Sequence, residues 1–183
     1  MSARLLAPGV SPARRVCCFL MLCLALGTAP VASADTVYLA PEDFLREVFG
    51  TPPEPQVVWL GKDAQQSLSR VLGHPPRQAR VRYWRSGTKT AWVLEEVGKE
   101  FPITAGFVVV NERIEQARVL IYRESRGMEV RYPSFLKQFQ GAGLMKDETL
   151  SQPIDGISGA TLSVRAMERM ARMALFLNHM AQS

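Results

Sequence analysis

Apolar residues in the stretch 41–76 recur at helical spacing in two places, with a short apolar run between them. The spacing predicts helices over residues 41–49 and 63–72 and a strand over residues 56–60. Asp63 is expected to cap the start of the second helix, and Gly73 is expected to end it. Prolines and glycines separate these segments, so each one is predicted to be short.

The pattern then changes to runs rich in Val, Ile, Tyr and Trp, which are typical of strands. Four such runs lie at residues 79–84, 90–97, 103–110 and 114–122. Ser86-Gly87 and Asn111-Glu112 fall between them and predict hairpin connections. Four consecutive strands with short joins predict an antiparallel meander.

Two helical patterns close the chain. Residues 134–139 predict a short amphipathic helix, and residues 162–180 predict the longest helix. The long helix places apolar residues on one side and charged residues on the other: Val164, Met167, Ala171, Ala174 and Leu175 against Arg165, Glu168, Arg169 and Arg172. The predicted fold class is therefore α+β, an antiparallel meander with packed helices and a long C-terminal helix.

The first 34 residues have a different organisation. Arg4, Arg14 and Arg15 form a basic start, residues 16–26 form an apolar run, and residues 32–34 are small. This order is typical of a cleaved secretory signal peptide. A membrane anchor is the alternative, but the apolar run is shorter than the roughly 20 residues that a spanning helix needs. We therefore expect export to the periplasm and a mature chain of residues 35–183.

Composition then narrows the possible functions. Cys17, Cys18 and Cys23 all lie in residues 1–34, so no disulfide, thiolate metal site or cysteine nucleophile is expected in the mature chain. The same segment holds three of the 22 basic residues and none of the 17 acidic ones, which leaves 19 against 17. This near balance, without a basic stripe, argues against nucleic-acid binding.

Residues 155–163, with the sequence DGISGATLS, lie directly before the long helix. Two glycines allow the backbone to approach a ligand closely, and the first turn of a helix offers unpaired N–H groups to a phosphate. Spacing alone nevertheless favours an ordinary helix start capped by Ser158 or Asp155. A nucleophilic serine is not supported, because His74 and His179 are the only histidines and neither lies in a catalytic context.

The same nine residues closely resemble the flavinylation motif of the FMN-binding domain family. This family includes subunits of the sodium-pumping quinone reductase and of related bacterial electron-transport complexes. In the family, a dedicated magnesium-dependent flavin transferase esterifies the motif threonine to the phosphate of FMN, and the corresponding residue here is Thr161. The resemblance implies that the remaining cofactor-binding positions of the loop are Asp155, Gly156, Ser158, Gly159, Ala160 and Ser163.

The resemblance covers roughly the last hundred residues of the chain. It includes a strand that leads into the turn at residues 124–127, a short Phe-Leu helix and Gly141. The turn departs from the commoner Glu-Thr-Pro-Gly form, with Ser125 for threonine and Arg126 for proline. The resemblance implies that Glu124 and Ser125 face the flavin. It also divides the chain into an accessory segment, residues 35–76, and an FMN-binding domain, residues 77–183.

These observations together predict an exported flavoprotein with covalent FMN that acts as an electron-transfer carrier rather than as a stand-alone oxidoreductase. FMN performs the redox step, so no catalytic side chain and no metal are expected. Expected partners are the flavin transferase and membrane-bound or exported redox proteins, through which the chain could associate with a membrane. The alternatives are a flavin-dependent sensory domain of a respiratory assembly and an interaction domain without flavin.

Overall fold

The computed structural model describes residues 35–182, and the predicted signal peptide lies outside these residues. All strand pairs in the six-stranded sheet are antiparallel, and the strand order is β1-β6-β5-β4-β3-β2. The strands are β1 Thr36–Val37, β2 Gln56–Trp59, β3 Arg80–Ser86, β4 Lys89–Val97, β5 Pro102–Val110 and β6 Arg113–Tyr122. The helices are α1 Pro41–Phe49, α2 Lys62–Leu72, α3 Pro133–Leu136 and α4 Thr161–Gln182, with short 3-10 turns at Met128–Arg131 and Lys137–Phe139.

The predicted meander is confirmed, because β3, β4, β5 and β6 are neighbours in sequence order. The hairpin between β5 and β6 turns through Asn111 and Glu112, whose φ angles are 48° and 61°. Positive φ at both central residues is the requirement of the tight turn that matches the twist of paired strands. The hairpin between β3 and β4 turns through Gly87, at φ 59°.

Helices cover both faces of the sheet. On one face, α2 and α4 pack over the larger apolar core, and on the other α1 packs over a smaller one. Phe44 of α1 lies so close to β5 that a Cβ on Gly106 would stand 2.6 Å from its ring. The accessory segment thus contributes β1 and β2 to the sheet, and α1 and α2 to the layers that cover it. The domain boundary between residues 76 and 77 stays a prediction.

Helix boundaries follow the sequence closely. The bounds of α1 are as predicted, and Gly73 ends α2 in a left-handed conformation, at φ 77°. The capping prediction for Asp63 is wrong. The helix begins at Lys62, after Gly61, and has no side-chain cap. Asp63 therefore lies inside the first turn, where its charge is favourable to the helix dipole.

The long helix α4 buries the face that the sequence predicted. The apolar residues predicted for that face, Val164, Met167, Ala171, Ala174 and Leu175, are all buried, whereas Arg165 is exposed. Near its C-terminal end, the buried Asn178 accepts a 2.7 Å hydrogen bond from Thr90 of β4, and Trp92 donates to the same threonine. Among residues 35–182, no helix is both long and apolar enough to cross a bilayer.

Candidate functional site

Thr161 is the first residue of α4, and its side chain is exposed. The chain reaches it through Gly159, at φ 81°, and through a turn in which Ala160 N–H donates to the Ile157 carbonyl at 2.9 Å. Val164 N–H then donates to the Ala160 carbonyl and begins the helix. The Thr161 hydroxyl makes no hydrogen bond within the described residues. It is therefore a free hydroxyl at the start of a helix.

The loop before Thr161 is open to solvent. A Cβ built on Gly156 or Gly159 would meet no atom within 4 Å. The first turn of α4 leaves backbone N–H groups without intrahelical partners, and the helix dipole adds partial positive charge there. Space, N–H donors and positive potential at one hydroxyl are the features that suit a phosphate.

Glutamine side chains hold the beginning of this loop in place. Asp155 N–H donates to Gln138 Oε1 at 2.6 Å, and Gln152 Nε2 donates to the carbonyls of Gln138 and Gln140 at 2.5 and 3.2 Å. Asp155 is thus fixed through its backbone, and the residue is exposed. Sequence reasoning missed both glutamines, because polar residues in short turns carry no periodic signal.

Ser163, two residues after Thr161, faces the interior. It is 4% exposed, and its Oγ lies 3.0 Å from Tyr122 Oη. Tyr122 donates its single proton to the Arg126 carbonyl at 2.5 Å, so Ser163 is the donor in the other bond. Burial raises the pKa of Tyr122, and the Ser163 hydrogen bond opposes that rise. This chain of bonds joins the end of β6 to the first turn of α4.

Gly127 packs directly against this pair of hydroxyls. Its φ is 85°, and an added Cβ would lie 2.7 Å from Ser163 Oγ, 2.9 Å from Tyr122 Oη and 3.3 Å from Ala160 Cβ. Both the backbone conformation and the contact distances exclude a larger residue. The turn after β6 is therefore held tightly against the residue that precedes Thr161.

Glu124 has structural contacts of its own. Its Oε1 accepts backbone N–H groups from Lys99, from Glu100 at 2.8 Å and from Phe101 at 3.1 Å. The carboxylate thus holds the loop between β4 and β5. Ser125 is exposed and makes no side-chain hydrogen bond within the described residues. A role for Glu124 and Ser125 toward flavin stays a prediction.

Four exposed apolar side chains lie on α4, on the 3-10 turn after β6 or beside it, and on the β4–β5 loop. Leu162 follows Thr161 in α4, and Met128 belongs to a 3-10 turn that packs on α4. Tyr132 comes directly after that turn, and Phe101 is in the loop that Glu124 holds. Such side chains suit contact with a flat aromatic group. A cavity of about 710 Å³ lies elsewhere, because none of its lining residues belongs to the loop 155–163.

Charged side chains of both signs lie at the site. Arg126 and Arg165 are exposed, and Arg165 lies one helical turn after Thr161. Asp155 is an exposed carboxylate at the start of the loop. Within residues 35–182, no cluster of three His, Cys, Asp or Glu residues is arranged to hold a metal. The local chemistry is therefore that of a hydroxyl, backbone donors and guanidinium groups, with one carboxylate at the beginning of the loop.

Comparison with known proteins identifies the segment that contains this site. Residues 98–175 match the model of the FMN-binding domain. This segment is similar to the FMN-binding domain family. The matched segment runs from the β4–β5 loop into α4. It therefore includes Glu124 and the β4–β5 loop that Glu124 holds, as well as the loop 155–163 with Thr161. The family resemblance of the sequence is thereby confirmed.

The fold is also similar to that of a solved structure. The crystal structure of NqrC from Shewanella oneidensis is 14% identical, with a TM-score of 0.50, over 75% of this chain and 88% of that chain. At this identity, the similarity shows a shared fold. No match is found among curated proteins.

Proposed function

We propose that Thr161 carries FMN through a phosphoester bond and that this FMN-binding domain is an electron carrier. One observation carries the proposal: within the family segment, the motif threonine is an exposed, unbonded hydroxyl at the N-terminus of a 22-residue helix. The neighbouring Ser163 has the same functional group, but its hydroxyl is buried and hydrogen-bonded to Tyr122. Of these two hydroxyls, that of Thr161 is exposed and that of Ser163 is buried, which supports Thr161 as the attachment point.

Attachment requires an activated flavin nucleotide and a flavin transferase. Thr161 Oγ1 forms a bond to the FMN phosphorus, the bond from that phosphorus to the leaving group of the activated nucleotide breaks, and the hydroxyl proton passes to solvent. Gly156 and Gly159 leave the loop open to the transferase. After transfer, the N–H groups of the first turn of α4 and the helix dipole would stabilise the phosphate charge.

When bound, FMN supplies transfer of one or two electrons. The chain's residues would hold and shield the ring rather than donate or accept protons. Leu162 and Met128 offer apolar contact close to the attachment point, and Arg126 and Arg165 add positive charge that favours an anionic reduced ring. A covalent bond also prevents loss of the cofactor by dilution outside the cytoplasm.

The proposed location is the periplasm. The basic start, apolar run and small residues of segment 1–34 support export through a cleaved signal peptide. Membrane-bound or exported redox proteins would then be the electron donor and acceptor. Fractionation of cells that produce the full chain tests this directly. We expect a shortened chain that begins near Asp35 in the periplasmic fraction, and an uncleaved cytoplasmic chain would contradict it.

Attachment is tested by expressing the full chain with a flavin transferase and measuring the intact mass after denaturation. We expect an increase of one FMN less one water, and flavin fluorescence in a denaturing gel. Thr161→Ala should lose both signals and retain its thermal unfolding transition. Ser158→Ala is the matched control, because Ser158 is also exposed in the same loop, and it should keep the flavin. An unmodified wild-type chain would contradict the proposal.

The carrier function requires a separate measurement. The flavin-loaded protein should be mixed rapidly with reduced exported or membrane-bound donors. The flavin absorbance should then bleach at a rate faster than the turnover of the electron-transport chain that contains the donor. A second mixing with an acceptor should restore the absorbance. Exchange slower than turnover with every donor and acceptor would favour the sensory alternative instead.

A further inference from the structure

A gap opens in the sheet between β3 and β4, because the two strands pair over only part of their length. They pair only over residues 83–86 and 89–92. Beyond that point, residues 80–82 pair with β2 alone, and residues 93–97 pair with β5 alone. Both segments keep strand geometry, so each presents an edge to the gap between them.

A cavity of about 710 Å³ lies in this gap. Its lining includes four consecutive residues of β4, residues 93–96. Successive strand residues point to opposite faces of a sheet, so a cavity lined by all four borders the strand edge. Leu45 from the core under α1 and Leu72 from the core under α2 also line it. The cavity therefore passes through the sheet layer, and its volume is within the range of about 300 to 1,000 Å³ for small-molecule sites.

Apolar side chains form much of the wall on the α1 side. Trp84 and Val93 come from the two separating strands, Ile121 comes from β6, and Leu45 comes from α1. Trp84 and Val93 are each half-buried, so their remaining surface faces the cavity or solvent. An indole and branched aliphatic groups suit a compact hydrocarbon or aromatic body.

Acidic residues also line the cavity, but two of the three are already paired. Glu96 Oε1 lies 3.0 Å from His74 Nε2 and 3.4 Å from Arg169 Nε. Glu95 Oε1 lies 3.6 Å from Arg123 Nη1 and accepts a 2.7 Å hydrogen bond from Thr104. The third, Glu42, is at the exposed start of α1. The negative charge of the wall is therefore largely compensated by the protein itself.

Two of the three arginines that line the cavity have no partner in the described part of the chain. Arg46 forms a 2.6 Å ion pair with Asp43. Arg77 and Arg82 line the same cavity and have no ion pair or hydrogen bond within residues 35–182. Two guanidinium groups without partners beside an apolar wall are suited to an oxyanion, since guanidinium binds carboxylate in a fixed two-bond geometry.

We propose that this cavity binds a small amphipathic anion, with an aromatic or aliphatic body against Trp84 and Val93 and a carboxylate head against Arg77 and Arg82. No lining residue belongs to the loop 155–163, so the site is separate from the proposed flavin attachment. The proposal does not depend on flavin, and it adds a second ligand site to the domain.

Calorimetric titration of the flavin-loaded protein with 1-naphthoate and with 1-naphthalenemethanol distinguishes the contribution of the carboxylate head to binding from that of the apolar body. The probes share one ring system and differ in charge. Arg77→Gln combined with Arg82→Gln removes both guanidinium groups of the cavity. Arg80→Gln combined with Arg118→Gln is the matched control, because these arginines are also exposed but do not line the cavity. Both variants lose the same net charge.

We expect the wild type to bind one naphthoate per chain. The Arg77/Arg82 variant should bind it about tenfold more weakly, as expected on losing charge-assisted hydrogen bonds at a partly exposed site. The affinity of the Arg77/Arg82 variant for the uncharged probe should differ from that of the wild type by no more than about twofold. The affinity of the control variant for naphthoate should also change by no more than about twofold, because distant surface charges are screened. Equal weakening in both double variants, or no wild-type binding of naphthoate, would overturn the proposal.

Discussion

Replacing Gly127 with alanine tests whether the turn after β6 is packed as tightly against α4 as the structure indicates. Gly127 has a φ of 85°, a conformation that costs an L-residue about 1–2 kcal/mol. The new Cβ would also stand 2.7 Å from Ser163 Oγ and 2.9 Å from Tyr122 Oη. Separating these hydroxyls breaks a buried hydrogen bond, which costs about 1–3 kcal/mol. The free energy of unfolding should therefore fall by about 2–5 kcal/mol.

For a domain of this size, that loss corresponds to a decrease in Tm of roughly 5–15 °C. Thermal and urea unfolding followed by circular dichroism would measure it. Gly73→Ala is the matched control, since Gly73 has a φ of 77° but open space at its Cβ position. It should lose only the conformational part, about 1–2 kcal/mol. A Gly127→Ala variant that is no less stable than Gly73→Ala would refute the proposed packing.

Three further substitutions give independent predictions. Tyr122→Phe should cost about 1–3 kcal/mol in urea unfolding at pH 7. Burial raises the pKa of Tyr122 in the folded state, so the stability that the tyrosine contributes is present below pH of about 10 and is lost above it. The difference in free energy of unfolding between Tyr122→Phe and the wild type should therefore shrink in alkaline buffer. Glu124→Ala should cost about 1 kcal/mol and accelerate amide hydrogen exchange at residues 99–101, and unchanged exchange would contradict its contacts there. Glu112→Gly should raise the free energy of unfolding by about 0.5–1 kcal/mol, because glycine adopts its positive φ without strain, and a loss of stability would contradict this account of the hairpin.

Local sequence patterns predicted most of the elements, because each depends on neighbouring residues. The β-branched and aromatic runs became β3 to β6, and positive φ at Asn111 and Glu112 follows from the tight hairpin between two of them. The two-residue strand β1 was missed, since Thr36 and Val37 are too few to show a period. The fold class is confirmed at the level of the meander and of the long helix that follows the loop.

Long-range contacts at the candidate site were beyond such patterns. Glu124 binds backbone groups 23 to 25 residues earlier in the chain, and Tyr122 contacts Ser163 across 41 residues. The sequence motif gave Thr161 and Ser163 similar hydroxyls, but the direction of each depends on how α4 packs against β6. The separation of β3 from β4 is equally unpredictable, because residues 80–82 and 93–97 keep the side-chain pattern of paired strands.

Peptide mass spectrometry of the transferase-treated protein tests the proposed attachment most directly. Cleavage after Lys146 and Arg165 releases one peptide, residues 147–165, that contains Thr161 together with Thr149, Ser151, Ser158 and Ser163. Fragmentation should place the whole FMN mass on Thr161. An unmodified peptide, or FMN on any of the other four hydroxyls, would contradict the account.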